Sequence, residues 1–159
     1  NIEALNLTDK ISMMTISLHA FKEETYNKIV KGGNYKKVIE NIKYVSSLKK
    51  AGKIDRFELH FTVTSVNYKE IPDMIKLCRE IDAKIRLLGL DCSRDLEELY
   101  NKINIQDPKH PEYNELVKIT HTKEFQEGKD VVIQGHDYFS ALEPVKVSFK
   151  DRIMNILKK

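Results

Sequence analysis

An α/β fold with a parallel sheet is predicted by two features of the sequence. Three segments alternate apolar and polar residues, at 14–19, 57–63 and 84–91, which is the pattern of β-strands. Helical stretches separate these segments, and strands that are joined by crossover helices run parallel in one sheet. The resulting order, βαβαβ, is that of an open α/β sheet or of a (β/α) barrel.

The helices between these strands have recognisable ends. The first is expected over 23–30, and Asn34 is a suitable N-cap for the second, which Gly52 ends. A third helix is expected near 68–81, with Pro72 in its first turn, where the missing N–H does no harm. The second helix has a single apolar stripe, formed by Val38, Ile39, Ile42, Val45 and Leu48.

The pattern weakens beyond residue 91. Helices are expected over 94–103, capped by Ser93, and over 112–123, and an amphipathic helix is expected over 150–158. Residues 131–133 could form a short strand. This part of the chain is therefore predicted to be mostly helical.

Composition and charge exclude several classes of protein. The chain has 159 residues, enough for one domain with a substantial core. Its 27 basic and 24 acidic residues are interspersed, which argues against nucleic-acid binding. No apolar run approaches the roughly 20 residues that span a bilayer, and no secretory signal is visible. The only cysteines, Cys78 and Cys92, fit a reducing, cytoplasmic location.

The strands carry an unexpected second polar face. Parallel strands are normally buried on both faces and read as continuous apolar runs. Burying polar groups without partners is costly, so this face is predicted to line a cleft for a ligand. Its residues are Thr15, Ser17, His19, Glu58, His60, Thr62 and Arg86. Ligands of parallel α/β folds lie at the carboxyl ends of the strands, which adds Thr64, Gly89 and Asp91.

Two further sites can be drawn on this face. His19 and His60 with Glu58 or Asp91 would form a two-histidine, one-carboxylate metal site, as in a metal-dependent hydrolase. The alternative is that both histidines are hydrogen-bonded members of a polar surface. Ser17 beside His19 could be a nucleophile, but the chain has no G-x-S-x-G motif.

A series of short segments resembles the radical S-adenosylmethionine enzymes, over residues 11–120. The segments, in order, are ISLHA, ETYNKI, GGN, VIENI, ELHFTVT, NYKEIP and IRL. A further stretch at 107–113, DPKHPEY, resembles the segment after the barrel in members with an additional C-terminal cluster domain. No single motif is diagnostic, and the order of the series carries the resemblance.

The resemblance implies a fold and a pair of cofactors. Residues 1–122 look like the fourth, fifth and sixth units of a partial (β/α)6 barrel, a three-stranded half-barrel, and residues 123–159 would be a mostly helical extension. The parent enzyme would use S-adenosylmethionine and a [4Fe–4S] cluster to abstract hydrogen from a small-molecule or peptide substrate. The C-x-x-x-C-x-x-C loop that holds the cluster is absent, and two cysteines cannot supply three thiolates.

This departure leaves two interpretations. The chain, which begins with Asn rather than Met, is either the C-terminal portion of a longer enzyme or a degenerate relative. As a portion it would be inactive alone and bind no cofactor, metal or nucleic acid by itself. The alternative function is a non-catalytic binding or assembly module. In either case a homodimer could cover the open edge of the half-barrel.

The resemblance also implies roles for individual residues. No residue of this chain would be catalytic or bind a metal. Those near the cofactor would be Ser17, His19, Thr64, Asn67, Leu88 and Gly89. Those lining the substrate cavity would be Glu58, His60, Thr62 and Arg86.

Overall fold

A parallel sheet of four strands runs through the part of the chain that the computed structural model describes, residues 11–90 and 97–145. The predicted α/β class is confirmed. The strand order follows the sequence, β1-β2-β3-β4, without a reversal. The strands are β1 Met13–Ser17, β2 Arg56–Thr62, β3 Lys84–Leu88 and β4 Val132–Gln134.

The expectation of three strands is wrong, because β4 joins the sheet beside β3. It lies within 123–159, the segment expected to be a mostly helical extension. A strand of three residues is too short to show an alternating pattern. Gly135, at φ +89°, allows the close approach: a Cβ there would lie 2.3 Å from the carbonyl oxygen of Leu87.

Most of the predicted helices are present, with shifted ends. The helix expected over 112–123 is interrupted, because the Thr122 hydroxyl accepts the amide of Phe125 and caps a new helix. Ser93 and residues 150–158 lie outside the described residues. The helices are α1 Glu23–Ile29, α2 Tyr35–Lys50, α3 Ile71–Glu80, α4 Glu97–Ile103, α5 Tyr113–Thr120, α6 Lys123–Gln126 and α7 His136–Ser140, with 3-10 turns at Tyr68–Glu70 and Glu127–Asp130.

The hydrophobic core lies between the sheet and helices α2 and α3. Asn34 caps α2 as predicted, since its side chain accepts the amide of Lys37 at 3.0 Å. Burying each large apolar side chain stabilises the fold by roughly 1.5–3 kcal/mol. The strands contribute Phe57, Leu59, Phe61, Ile85 and Leu87, and the helices contribute Ile42, Val45, Leu48, Ile71, Met74, Ile75 and Cys78.

Strand β1 is less well covered than its neighbours. It pairs with β2 along one side, and no strand among residues 11–90 and 97–145 pairs with the other. Met14 and Ile16 point toward α2 but are only half-buried. They line an open groove of about 640 Å³ beside Tyr44 and Val45 of that helix. Within the described residues, the apolar face of the sheet therefore continues to an edge of β1 with which no strand pairs.

A buried carboxylate holds the loop that follows β1. Glu70 accepts the backbone amide of Phe21 at 2.7 Å, that of Lys22 at 3.3 Å and the hydroxyl of Thr25 at 2.6 Å. The residue that precedes α1, Lys22, makes no capping bond with its own side chain. Glu70 therefore holds the backbone just before α1 and one hydroxyl of its first turn from a distant part of the chain.

Candidate functional site

The polar side of the sheet forms a continuous surface across the strands. Parallel register aligns Ser17 of β1 with His60 of β2, His60 with Arg86 of β3, and Arg86 with Gln134 of β4. Ser17 is exposed, whereas His60 and Arg86 are half-buried. We call this surface the polar face; it comprises Thr15, Ser17, Glu58, His60, Thr62, Arg86 and Gln134.

An ion pair occupies the centre of the polar face. The Arg86 guanidinium donates from Nε to Oε2 of Glu58 at 2.7 Å and from Nη1 to Oε1 of Gln134 at 2.6 Å. The hydrogen bond to Glu58 raises the pKa of Arg86 above its ordinary value. The Glu58 side chain is only 2% exposed, against 33% for Arg86. Of the two, Arg86 is therefore the one that a ligand can reach.

Side chains continue the pairing of β1 and β2 beyond the regular ladder. The last backbone hydrogen bond between the two strands runs from the Leu18 amide to the His60 carbonyl, at 3.0 Å. Thr62 is the next residue of β2 whose amide and carbonyl face β1. Its amide donates to Nδ1 of His19 at 3.1 Å, and its carbonyl accepts from Nδ2 of Asn67 at 2.8 Å. Both backbone groups are thus satisfied by side chains.

Asn67 uses every hydrogen-bonding position of its side chain within the protein. Nδ2 donates to the carbonyls of His19 and Thr62, both at 2.8 Å. Oδ1 accepts the amide of Thr64 at 2.8 Å and its hydroxyl at 3.2 Å. Asn67 is 1% exposed and Thr64 is 6% exposed. The two residues therefore join the ends of β1 and β2 and leave no side-chain amide group for a ligand.

The remaining predicted positions lie at the end of β3. Leu88 is half-buried and Gly89 is exposed. The Gln106 side chain lies close to Gly89, since a Cβ there would lie 3.1 Å from its Oε1. Gln106 and Gln134 were not predicted from the sequence, because the side-chain hydrogen bonds that join them to β2 and β3 reach residues more than forty positions away. The short strand expected at 131–133 was the one signal that pointed toward Gln134.

The side chains of the described residues offer no group suited to an iron–sulfur cluster or to another metal. Within residues 11–90 and 97–145, no three His, Cys, Asp or Glu side chains are grouped as a metal would require. Burial raises the pKa of the Cys78 thiol to about 12, so it does not offer a thiolate. Asp91 and Cys92 lie outside the described residues. The described side chains do not fit a [4Fe–4S] cluster.

His19 is electrostatically biased toward the neutral form. Burial lowers its pKa below the ordinary 6.5, and the neighbouring His60 lowers it further. Both causes disfavour a positive charge on the ring.

The free energy of unfolding is expected to decrease as the pH falls from about 7.5 to about 5.5. In that window the unfolded chain binds a proton at His19 that the folded chain resists, so acid favours unfolding. Urea unfolding at a series of pH values measures this slope for the wild type and for His19→Gln. The variant should show a shallower slope, and an unchanged slope would assign the effect to other groups.

Comparisons with known proteins identify a distant relative. The probable GTP 3',8-cyclase of Methanocaldococcus jannaschii is 26% identical over 137 residues, which is 82% of this chain and 44% of that protein. The chain therefore spans less than half of the relative's length. No protein-family model and no solved structure matches the chain.

This relative belongs to the radical S-adenosylmethionine enzymes, so the similarity supports a distant relation of the chain to that family. The covered region includes most of the described sheet, given that it extends over 137 residues.

No helix in the described parts of the chain is both long and apolar enough to cross a membrane.

Proposed function

We propose that this chain is the C-terminal portion of a radical S-adenosylmethionine enzyme, and that the polar face forms one wall of the cavity. The parent would cleave S-adenosylmethionine reductively and abstract hydrogen from a substrate. The observation that supports this most is the combination of a polar sheet face with similarity to a protein of that family over 137 residues.

The strand order also supports the proposal. A doubly wound sheet reverses its order at a switch point, whereas the strands of a (β/α) barrel follow one another in sequence. The order β1-β2-β3-β4 agrees with the second arrangement. In such a barrel the polar face would point inward, and the ligand would lie at the carboxyl ends of the strands.

Within this wall, the side chains divide into two groups. Ser17, His19, His60, Thr62 and Arg86, with Leu88 and Gly89 at the end of β3, are exposed or half-buried, and we assign them to ligand contact. Glu58, Thr64 and Asn67 are buried and bonded within the protein, and we assign them to positioning these residues.

The open edge of β1 is where the rest of the parent barrel would attach. An added parallel strand would pair with β1, and its helix would cover Met14 and Ile16 in the groove beside α2. The cluster would be bound in that other part, because the side chains described here do not fit it.

A chimera tests the proposal. The region of the archaeal relative that matches this chain would be replaced by the chain, and the product reconstituted anaerobically with iron and sulfide. We expect a brown [4Fe–4S] chromophore and reductive cleavage of S-adenosylmethionine to 5′-deoxyadenosine. The isolated chain, treated identically, should form no chromophore. A cluster on the isolated chain, or a folded, cluster-loaded chimera without cleavage, would contradict the proposal.

Matched variants of the chimera test the attachment surface. Ile16→Asp places a charge in the groove beside β1 and should prevent assembly or cluster retention. Leu99→Asp changes a side chain of α4 that is 49% exposed, and should leave the chimera intact. Equal behaviour of the two variants would exclude the groove as the attachment surface.

The open edge also favours a second candidate, a non-catalytic assembly module whose β1 edge binds another copy of the chain. Sedimentation of the isolated chain distinguishes the two: a stable dimer that Ile16→Asp converts to monomer supports the module. A monomer that gains activity only in the chimera supports the enzyme portion.

A further inference from the structure

The His19 ring occupies a position that a backbone carbonyl holds in a regular ladder. In a parallel pair, each amide that faces the neighbouring strand donates to a carbonyl of that strand. At the end of β2 the Thr62 amide donates instead to Nδ1 of His19, at 3.1 Å. The ring is thereby held by the backbone, and the Asn67 amide holds the carbonyl of the same histidine at 2.8 Å.

This bond determines the tautomer of the ring. An imidazole nitrogen that accepts a hydrogen bond carries no proton, so the proton of neutral His19 is on Nε2. Protonation of Nδ1 would direct its hydrogen at the Thr62 amide and break the bond. The partial burial of His19 and the proximity of His60 act in the same direction.

The same bond also disfavours a metal on His19. A histidine that binds a metal through one nitrogen normally donates the N–H of the other to an acceptor. Nδ1 of His19 instead accepts from the Thr62 amide. A metal on Nε2 would displace the proton there, so the ring would either become an imidazolate or carry its proton on Nδ1 and break the bond to Thr62. The Thr62 bond therefore argues against a metal-dependent hydrolase in which His19 and His60 bind the metal.

Nε2 is available to a ligand. No hydrogen bond within residues 11–90 and 97–145 engages it, and no buried side-chain nitrogen or oxygen there lacks a partner, so Nε2 reaches the surface. Ser17 and His60, aligned on β1 and β2, lie on the same polar face.

We propose that His19 is a fixed, neutral hydrogen-bond donor whose Nε2–H selects a carbonyl or carboxylate oxygen of the ligand at the ends of β1 and β2. It acts neither as a general base nor as a metal ligand. The assignment of the ligand to this edge rests on the proposed function, whereas the protonation state of the ring rests on the Thr62 contact and on the surroundings of His19, independently of that function.

Nuclear magnetic resonance of the chain labelled with ¹⁵N-histidine tests the tautomer. Long-range proton–nitrogen correlations at about pH 7.5, where an ordinary histidine is mostly neutral, should show His19 protonated on Nε2 only. His121 is an internal control, because its Nδ1 lies 2.8 Å from the Val117 carbonyl, which can only accept, and must therefore carry a proton. Comparison with the His60→Gln spectrum, and with His19→Gln if it folds, assigns the signals.

Two additions to the same sample complete the test. Zinc alone should leave the His19 signals unchanged, whereas acetate should shift its Nε2 signal saturably. An Nδ1–H or doubly protonated His19, or zinc binding at this ring, would overturn the donor assignment. Absence of an acetate shift would overturn the oxygen preference. An inactive chimera with an Nε2-protonated His19 would refute the proposed function and leave the donor in place.

Discussion

Replacing Asn67 by aspartate is expected to lower the free energy of unfolding by about 4 kcal/mol at pH 7. The substitution preserves shape but removes both donors of the amide. The carboxylate would then face the carbonyls of His19 and Thr62, which Nδ2 now contacts at 2.8 Å. Because the side chain is 1% exposed, water cannot supply the missing donors.

The pH dependence of the stability of Asn67→Asp tests whether the buried carboxylate causes the loss. Two carbonyls beside a buried carboxylate would raise the pKa of the introduced Asp, so the folded state would take up a proton before the unfolded state does. The loss of stability should therefore shrink as the pH falls. Urea unfolding of Asn67→Asp at about pH 7 and about pH 5 measures it. Asn101→Asp, at an exposed position of α4, should be nearly neutral; an equal loss there would contradict the explanation.

Replacing Arg86 by methionine is expected to cost about 3 kcal/mol. The substitution leaves the Glu58 carboxylate, which is 2% exposed, without a positive charge, and it leaves Oε1 of Gln134 without its 2.6 Å donor. A broken buried pair costs more than an absent one, because the remaining charge is desolvated without compensation. The partial exposure of Arg86 keeps the expected value at the lower end of such losses.

Two further variants test this explanation. The double substitution Glu58→Gln with Arg86→Met should recover most of the lost stability, since no buried charge remains. Arg79→Met removes the exposed pair with Asp130, whose oxygen lies 2.8 Å from the guanidinium, and should cost at most about 1 kcal/mol. Urea unfolding of the four proteins gives the comparison. A double variant as unstable as Arg86→Met would show that packing, rather than charge, causes the loss.

The alternation of polar and apolar residues predicted the two faces of the sheet correctly where strands were long enough. The alternation along the seven residues of β2 places Phe57, Leu59 and Phe61 in the core and His60 on the opposite face. The three residues of β4 contain less than two periods of this alternation, so the sequence suggested a short strand at 131–133 but not that it joins the sheet. Its position depends on Gly135 and on pairing with β3, which are tertiary features.

Site residues show the same division. Their placement at strand ends followed from the sequence, because successive parallel strands have their carboxyl ends at one edge of a sheet. The sequence did not show that Asn67 would turn inward, since its four bonds join residues at and just beyond the ends of β1 and β2. Ser17 and Asn67 looked alike as candidate ligand contacts, and only burial separated an exposed side chain from one that is fully bonded.

Local periodicity and capping residues were enough to establish the α/β class, the three longer strands, the helices between them and the existence of a polar face. The folded chain was needed to show that β4 completes the described sheet, that Glu58 lies beneath Arg86, and that His19 presents Nε2 while Nδ1 is held by Thr62. The physical reason is that a donor finds its acceptor across strands that are far apart in sequence. Local sequence propensities do not predict such a pair.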